Sequence, residues 1–173
     1  MTDPGAKGRT PWLLLGCVVA AVVVIDQLTK WWAVETLSDE TIEVVGSLQF
    51  NLIRNYGSAF SIGGGTWWGA AVSVAGLAII VAMLWFARST TSRLATVALG
   101  LVIGGAIGNL IDRAVRSDRG FMGGGVVDFV DLQWWPIFNV ADAAVVVGVI
   151  MLVVLILVNE RSPQHGQGGA QRA

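Results

Sequence analysis

Four apolar stretches constrain the fold more than any other feature of the sequence. They cover about residues 12–34, 67–87, 94–111 and 137–158. A helix of about 20 apolar residues is needed to cross roughly 30 Å of hydrocarbon, and each stretch approaches that length. The chain is 54% hydrophobic and 13% charged, with a mean hydropathy of +0.68, which is too apolar for a soluble domain. The sequence therefore predicts an all-α integral membrane protein with four transmembrane helices.

The organisation along the chain is simple. No internal repeat is visible, so we expect a single transmembrane domain over residues 1–159. Residues 160–173 are polar and rich in Gly and Gln, and we expect a disordered tail there. The net charge of −1 offers no basic patch, which argues against a nucleic-acid partner.

The connection between the first two spans has the pattern of short strands. Within about residues 41–62, β-branched and aromatic residues are frequent, and apolar and polar positions partly alternate, as in Leu48, Gln49, Phe50, Asn51 and Leu52. We therefore expect a small β segment at the membrane surface.

Glycines mark one face of the third span. Gly100, Gly104 and Gly108 recur at four-residue spacing, which makes a groove where another helix can approach closely. We expect a neighbouring helix of the same chain in this groove, and a substrate helix is the alternative.

Basic residues near the ends of the spans predict the orientation. If the helices alternate in direction, five of them lie on one side of the membrane, and the positive-inside rule makes that side cytoplasmic. These residues are Lys7, Arg9, Arg88, Arg93 and Arg161. Both termini are then predicted to be cytoplasmic, and residues 35–66 and 112–136 to face outward.

Polar side chains within the spans are predicted to gather in the outer leaflet. Asp26 and Lys30 are spaced i and i+4, and we expect a structural ion pair. If Pro136 opens the fourth helix, Asp142 lies about 9 Å below its start. Ionisable residues in a span are costly and indicate function, although a network that only fixes the helices is the alternative. The remaining polar residues of this group are Asn109, Asp112, Arg113 and Asn139.

The inventory of reactive side chains excludes several mechanisms. The one histidine, His165, lies in the polar tail, so a histidine-dependent triad is excluded. There is no HExxH motif and no Cys/His cluster, and we therefore expect no metal. Cys17 belongs to the first apolar span, away from the polar group, which argues against a thiol nucleophile.

Carboxylates remain as the natural acid and base. If Asp128 and Asp142 come within a few ångströms, they share one proton, which suits peptide hydrolysis. Asp142 is expected to be the more readily protonated, because it is the deeper of the two. Asp131 is assigned no role. A Ser/Lys pair of Lys30 with Ser58 or Ser61 remains an alternative, although the neighbouring acid four residues earlier should keep the lysine charged.

Five sequence blocks together resemble a known family. They are "DQLTK" (26–30), "NYGSAF" (55–60), "GGAIGNLIDR" (104–113), "VVDF" (126–129) and "FNVAD" (138–142). In this order, on four spans, they resemble the lipoprotein signal peptidases, also called signal peptidase II. The loop from Phe129 to Phe138 departs from the family in its length and in its additional acid, Asp131, and residues 1–11 and 160–173 do not contribute to the resemblance.

The resemblance implies an activity and a site. It implies an intramembrane aspartyl endopeptidase of the bacterial inner membrane, with Asp128 and Asp142 as the catalytic dyad on the extracytoplasmic side. The substrates would be prolipoproteins that carry diacylglycerol on a cysteine, cut immediately before that cysteine. The resemblance also implies a β-cradle above the site, inhibition by globomycin and no cofactor, and we expect contact with membrane lipid and a monomer. Residues implied to support the site or bind substrate are Asn55, Gly57, Asn109, Asp112, Arg113 and Asn139.

Two other classes of function remain open from the residues alone. Buried acids also serve proton-coupled transporters, which would require polar groups in the inner half of the helices as well. A non-catalytic membrane assembly factor would tolerate replacement of both dyad acids by Asn.

Overall fold

Helices of membrane-spanning length dominate the computed structural model, which describes residues 11–57, 66–116 and 122–160. The elements in chain order are α1 (Trp12–Thr36), β1 (Ile42–Val45), β2 (Leu48–Asn55), α2 (Thr66–Ala87), α3 (Arg93–Val115), β3 (Val126–Asp131) and α4 (Val140–Glu160). Within the described ranges, all four helices are long and apolar enough to cross a membrane, which confirms the predicted fold class. The alternative nucleophiles Ser58 and Ser61, and the tail 161–173, lie outside the described residues.

Helix α3 is the centre of the bundle. It packs against α1, α2 and α4, and half of its most apolar window is buried, against at most 17% in the other three helices of the described part. A Cβ on Gly100 would lie 2.8 Å from Val18 of α1, and one on Gly104 would lie 2.8 Å from Val22. The glycine groove of α3 is therefore filled by α1, as expected, and not by a substrate helix.

The three strands form one antiparallel sheet in the order β1-β2-β3. Strands β1 and β2 fall in the predicted β segment, whereas β3 was expected to be a loop. Its residues Val127 and Phe129 pack against Ala33 and Leu37, where α1 ends. We call this end of the bundle, where α1 and α3 end and α4 begins, the sheet end.

The start of α4 differs from the prediction. Pro136 does not open the helix, which begins at Val140. The reason is that Phe138 pairs with β3: its N–H donates to the Val130 carbonyl, and its own carbonyl accepts the Val130 N–H. This pairing keeps the chain extended up to Asn139, so the fourth helix begins later than its apolar pattern suggests.

Candidate active site

The sheet end brings together the site residues that the sequence singled out. Asp26 and Lys30 lie in the second half of α1, and Asn109, Asp112 and Arg113 lie in the last turns of α3. Asn55 ends β2, Gly57 follows it, and Asp128 lies within β3. Asn139 directly precedes α4, and Asp142 lies in its first turn.

Asp128 is buried between two asparagine side chains. Only 2% of the residue is exposed. Asn139 Nδ2 donates to its Oδ1 at 2.6 Å, and Asn55 Nδ2 donates to its Oδ2 at 3.0 Å. Burial, assisted by the nearby charge of Asp142, raises the pKa of the Asp128 carboxyl from 3.8 to about 6. Asp128 can therefore hold a proton close to neutral pH.

Asp142 receives hydrogen bonds from the same group of amides. Asn109 Nδ2 donates to its Oδ1 at 2.9 Å, and the backbone N–H of Asn139 donates to its Oδ2 at 3.2 Å. Asn139 thus donates to both acids, through its side chain to Asp128 and through its backbone to Asp142. Each of the four carboxylate oxygens of the two acids has an N–H donor.

The depth expected for Asp142 is not observed. Because α4 begins at Val140, Asp142 lies in the first turn, where a helix N-terminus favours negative charge. Its side chain is partly exposed, whereas Asp128 is buried. Asp142 was expected to be the more readily protonated acid because it would be the more deeply buried. Since Asp128 is the more buried of the two, that argument applies to Asp128 instead.

Local backbone geometry orients two of the asparagines. The N–H of Gly57 donates to Asn55 Oδ1 at 2.9 Å, and Gly57 has a φ of 102°, which favours glycine. The N–H of Asp142 donates to Asn139 Oδ1 at 3.0 Å, in the manner of a helix N-cap. In both residues a backbone donor holds the amide oxygen, so the amide NH₂ points at Asp128.

A buried charged group lies beside the two acids. Lys30 Nζ is 2.9 Å from Asp26 Oδ2 and 2.9 Å from Asp112 Oδ2, and all three side chains are fully buried. Arg116 Nε lies 3.1 Å from Asp112 Oδ1. Two cations therefore balance two carboxylates, which is what makes the burial of such charges tolerable.

The same carboxylates tie the elements of the site together. Asp26 Oδ1 accepts the backbone N–H of Ala141 in α4 at 3.0 Å, and Asp112 Oδ2 accepts that of Val127 in β3 at 3.1 Å. Each contact fixes a backbone neighbour of one acid, since Ala141 precedes Asp142 and Val127 precedes Asp128. This group therefore sets the relative position of β3 and α4.

Gln27 belongs to this group, although it was not among the residues predicted from the sequence. Its Nε2 lies within donor distance of Asp26 Oδ2 (3.1 Å), Asp112 Oδ1 (3.2 Å) and the Gly108 carbonyl (3.2 Å). The available signal was an amide side chain inside an apolar span, directly after an acid.

A cavity of about 390 Å³ opens beside the two acids. Its polar lining comes from Asn55, Asn109, Arg113, Asp128 and Asp142. Its apolar walls come from α2, α3 and α4, through Val72, Ala75, Gly76, Ile79, Ala106, Leu110, Val145 and Val146, with Val126 from β3. Arg113 is 5% exposed, and its Nη1 has no hydrogen-bond partner among the described residues. The cavity is thus lined by two acids, a buried arginine and a hydrocarbon wall.

Asp131 lies outside this cavity and has a local partner. Gln49 Nε2 and the backbone N–H of Gln133 each donate to its carboxylate at 2.7 Å. The hydrogen bond from Gln49 lowers the pKa of this carboxyl below its usual value. Within the described ranges, no three His, Cys, Asp or Glu side chains are grouped so that they could hold a metal ion.

Comparisons with known proteins agree with this architecture. The family model described as signal peptidase (SPase) II matches residues 18–158. A lipoprotein signal peptidase of Bifidobacterium longum subsp. infantis is 41% identical over 162 residues, covering 92% of this chain and 87% of that protein. One of Mycobacterium avium is 42% identical over 144 residues, covering 82% and 78%. A solved bacterial membrane enzyme has a TM-score of 0.78 and 27% identity, covering 93% of this chain and 98% of its own.

The family match includes every residue that lines the cavity. It extends from α1 to α4, and the relatives match most of their own length. With its four membrane helices, a small sheet at one end and a cavity lined by two acids, the chain belongs to the signal peptidase II family.

Proposed function

We propose that this protein is an intramembrane aspartyl endopeptidase that removes signal peptides from diacylglyceryl-modified prolipoproteins, cutting immediately before the lipidated cysteine. One observation carries the proposal. Asn139 donates hydrogen bonds to both Asp128 and Asp142, and both acids line the same cavity. The names of the relatives, lipoprotein signal peptidases, support the substrate class.

The two acids suit the two proton transfers of peptide hydrolysis. Asp142, at the N-terminus of α4, takes a proton from a water as the water oxygen attacks the scissile carbonyl carbon. Asp128, whose pKa is raised to about 6, gives its proton to the carbonyl oxygen. When the resulting gem-diol collapses, the nitrogen leaves with the proton from Asp142, and Asp128 takes a proton from a hydroxyl. The pair then returns to its starting charge.

The walls of the cavity suit a substrate that stays in the bilayer. Val72, Ile79 and Val146 face the same space as the acids, so a lipid chain and an apolar segment could lie against hydrocarbon while the scissile bond meets the carboxylates. Arg113 lines the same cavity, and its guanidinium can donate to a carbonyl oxygen there. A soluble peptide would leave these walls in contact with water.

The proposal includes an orientation. Arg88 and Arg93 flank the connection between α2 and α3, at the end of the bundle away from the sheet, and both are exposed. By the positive-inside rule that end is cytoplasmic, together with both termini, in the bacterial inner membrane. The acids then work near the extracytoplasmic surface, where water reaches them. We further propose that the enzyme acts as a monomer, without a cofactor, and is inhibited by globomycin.

The transporter alternative finds no support in the helices. A relay needs polar side chains across the whole membrane. Among the described residues, the buried polar side chain in the halves of the helices away from the sheet is Thr96, and its hydroxyl donates to the Ser92 carbonyl of its own helix. No acid continues the path from Asp142 in that direction within α4 before its last residue.

Cleavage of a purified substrate tests the function. The protein is reconstituted in lipid and incubated with a diacylglyceryl-modified prolipoprotein, and with the same polypeptide without the lipid. Asp128→Asn and Asp142→Asn should each lower the rate by about 10²–10⁴, the usual contribution of a general acid or base. Asp131→Asn is the matched control and should retain activity, because Asp131 does not line the cavity. Full activity in either dyad variant, or equal cleavage of the unmodified polypeptide, would contradict the proposal.

A further inference from the structure

We propose that Lys30 is a positioning residue for the acid pair, which acts by fixing the side-chain amide of Asn109 with its NH₂ toward Asp142. This inference rests on the proposed function of the two acids. It assigns to Lys30 a second task besides its ion pair with Asp26.

The contacts of Lys30 leave none of its hydrogens free. The side chain is fully buried, and Nζ lies 2.9 Å from each of three oxygens: Asp26 Oδ2, Asp112 Oδ2 and Asn109 Oδ1. An ammonium group has three hydrogens and no acceptor. Two carboxylates already neutralise the charge, so the third contact, to a neutral amide, adds nothing to charge balance. It does determine which end of that amide faces the lysine.

Asn109 is the residue on which this contact acts. The oxygen and nitrogen of an amide exchange places by rotation about one bond, with almost no change of shape. Because Lys30 can only donate, Asn109 must present Oδ1 to it, and Nδ2 is then directed at Asp142 Oδ1, 2.9 Å away. In the opposite orientation, N–H would face N–H at Lys30, and oxygen would face the carboxylate at Asp142.

A second donor supports the same orientation less strongly. Asn139 Nδ2 also donates to Asn109 Oδ1, at 3.1 Å. It is neutral, and a hydrogen bond from a cation is roughly twice as strong as one between neutral groups. Lys30 therefore supplies the larger part of the preference, and Asn139 alone leaves the flipped amide populated.

The orientation of Asn109 matters because of what it gives to Asp142. The other oxygen of Asp142 is held by a backbone N–H of Asn139, which cannot rotate. Asn109 is thus the adjustable contact of this carboxylate. With its amide reversed, Asp142 loses a donor, faces an oxygen instead, and turns away from the geometry in which it can receive a proton from water.

The test must separate this role from the ion pair. Removing Lys30 alone leaves two buried carboxylates, Asp26 and Asp112, with Arg116 as their cation. A double-mutant cycle of Lys30 and Asn109 is therefore made in an Asp26→Asn background, where Lys30→Met leaves one carboxylate and one cation. The four proteins are the Asp26→Asn variant and its derivatives with Lys30→Met, with Asn109→Ala, and with both. Each is checked for helical content and monodispersity, and kcat and KM are measured on the diacylglyceryl-modified prolipoprotein.

The cycle has opposite outcomes for the two roles. If Lys30 acts through Asn109, Lys30→Met lowers kcat by about 10- to 100-fold with KM nearly unchanged, but by less than about two-fold when Asn109 is already Ala. An equal loss in both backgrounds, or a change confined to KM, would overturn the inference.

A conservative variant covers the case in which Lys30→Met does not fold. Lys30→Gln, in the same Asp26→Asn background, keeps an N–H donor near Asn109 without the charge, and should retain more kcat than Lys30→Met or fold where that variant does not. If neither variant folds, or if both lose kcat equally, Lys30 is only structural. The cleavage assay with Asp128→Asn and Asp142→Asn is independent of this cycle, so failure here leaves the proposed function standing.

Discussion

Replacing Asp128 by Asn should stabilise the protein while removing its activity. Asp128 is 2% exposed, and burial raises its pKa from 3.8 to about 6. The difference of about 2.2 pH units, at about 1.4 kcal/mol per unit, means that keeping this carboxylate ionised in the fold costs about 3 kcal/mol. Asn carries no charge and avoids this cost. However, either Asn55 or Asn139 then loses its acceptor, which costs about 1–2 kcal/mol.

The net effect of Asp128→Asn therefore depends on pH. Below pH 3.8 the carboxyl is neutral in the folded and unfolded chains, so the fold bears no charge penalty. As the pH rises toward 6, the unfolded chain ionises first, and stability is lost until both states are ionised. Above pH 6 the variant should be more stable than the wild type by about 1–2 kcal/mol, which raises the apparent Tm by roughly 2–8 °C. At pH 4 the sign should reverse.

Thermal unfolding in detergent, followed by tryptophan fluorescence between pH 4 and 8, measures this difference. Asp131→Asn is the control, and its effect on stability should change with pH in the opposite direction. Its carboxyl has a lowered pKa because Gln49 donates to it, so the wild-type stability from this contact is present above pH 3.8 and is lost as the pH falls below that value. A pH-independent difference for Asp128→Asn, or a lower Tm than the wild type at pH 7–8, would refute the reasoning.

Two further predictions concern glycines of the site. Gly108→Ala should unfold the protein at lower temperature and abolish cleavage, because its Cβ would lie 2.5 Å from Asp26 Oδ2. Gly16→Ala should do neither, because within the described part of the chain its Cβ would meet nothing beyond its own helix backbone and chain neighbours within 4 Å. Gly57→Ala should lower kcat by about 10-fold, since a φ of 102° is strained with a side chain and the N–H that holds Asn55 would shift; an unchanged kcat in the cleavage assay would contradict this.

The sequence predicts the helices because their cause is local. An apolar run of sufficient length crosses a bilayer whatever its neighbours do, and α1 and α2 begin at or within one residue of the expected positions. The predicted start of α4 was wrong, because Phe138 pairs with Val130 and the helix therefore begins later. Such a contact depends on where β3 lies, and no local pattern contains that information.

In the candidate site, too, features with a local cause can be predicted and contacts between distant segments cannot. Asp142 stands out in the sequence because an acid within an apolar span is conspicuous, whereas Asp128 follows a Gly-rich stretch and is named only by elimination and by the resemblance. Strand β3 and the contact of Lys30 with Asn109 could not be predicted, since each depends on how segments distant in sequence align. Gln27 could be noticed as an amide within a span, but its contact with Gly108 could not. The sequence thus predicts which polar residues gather at the candidate site better than it predicts the contacts between them.

The pairing of the buried charges also bears on how the chain enters the membrane. Asp26 and Lys30 are four residues apart on α1, and Asp112, in the last turn of α3, is four residues before Arg116, which caps that helix. Asp26 and Asp112 therefore each have a counter-ion four residues away in their own segment, so neither acid needs the other helix to balance its charge when it first meets the membrane. When the two helices later meet, Lys30 also contacts Asp112, and the two pairs become one shared group.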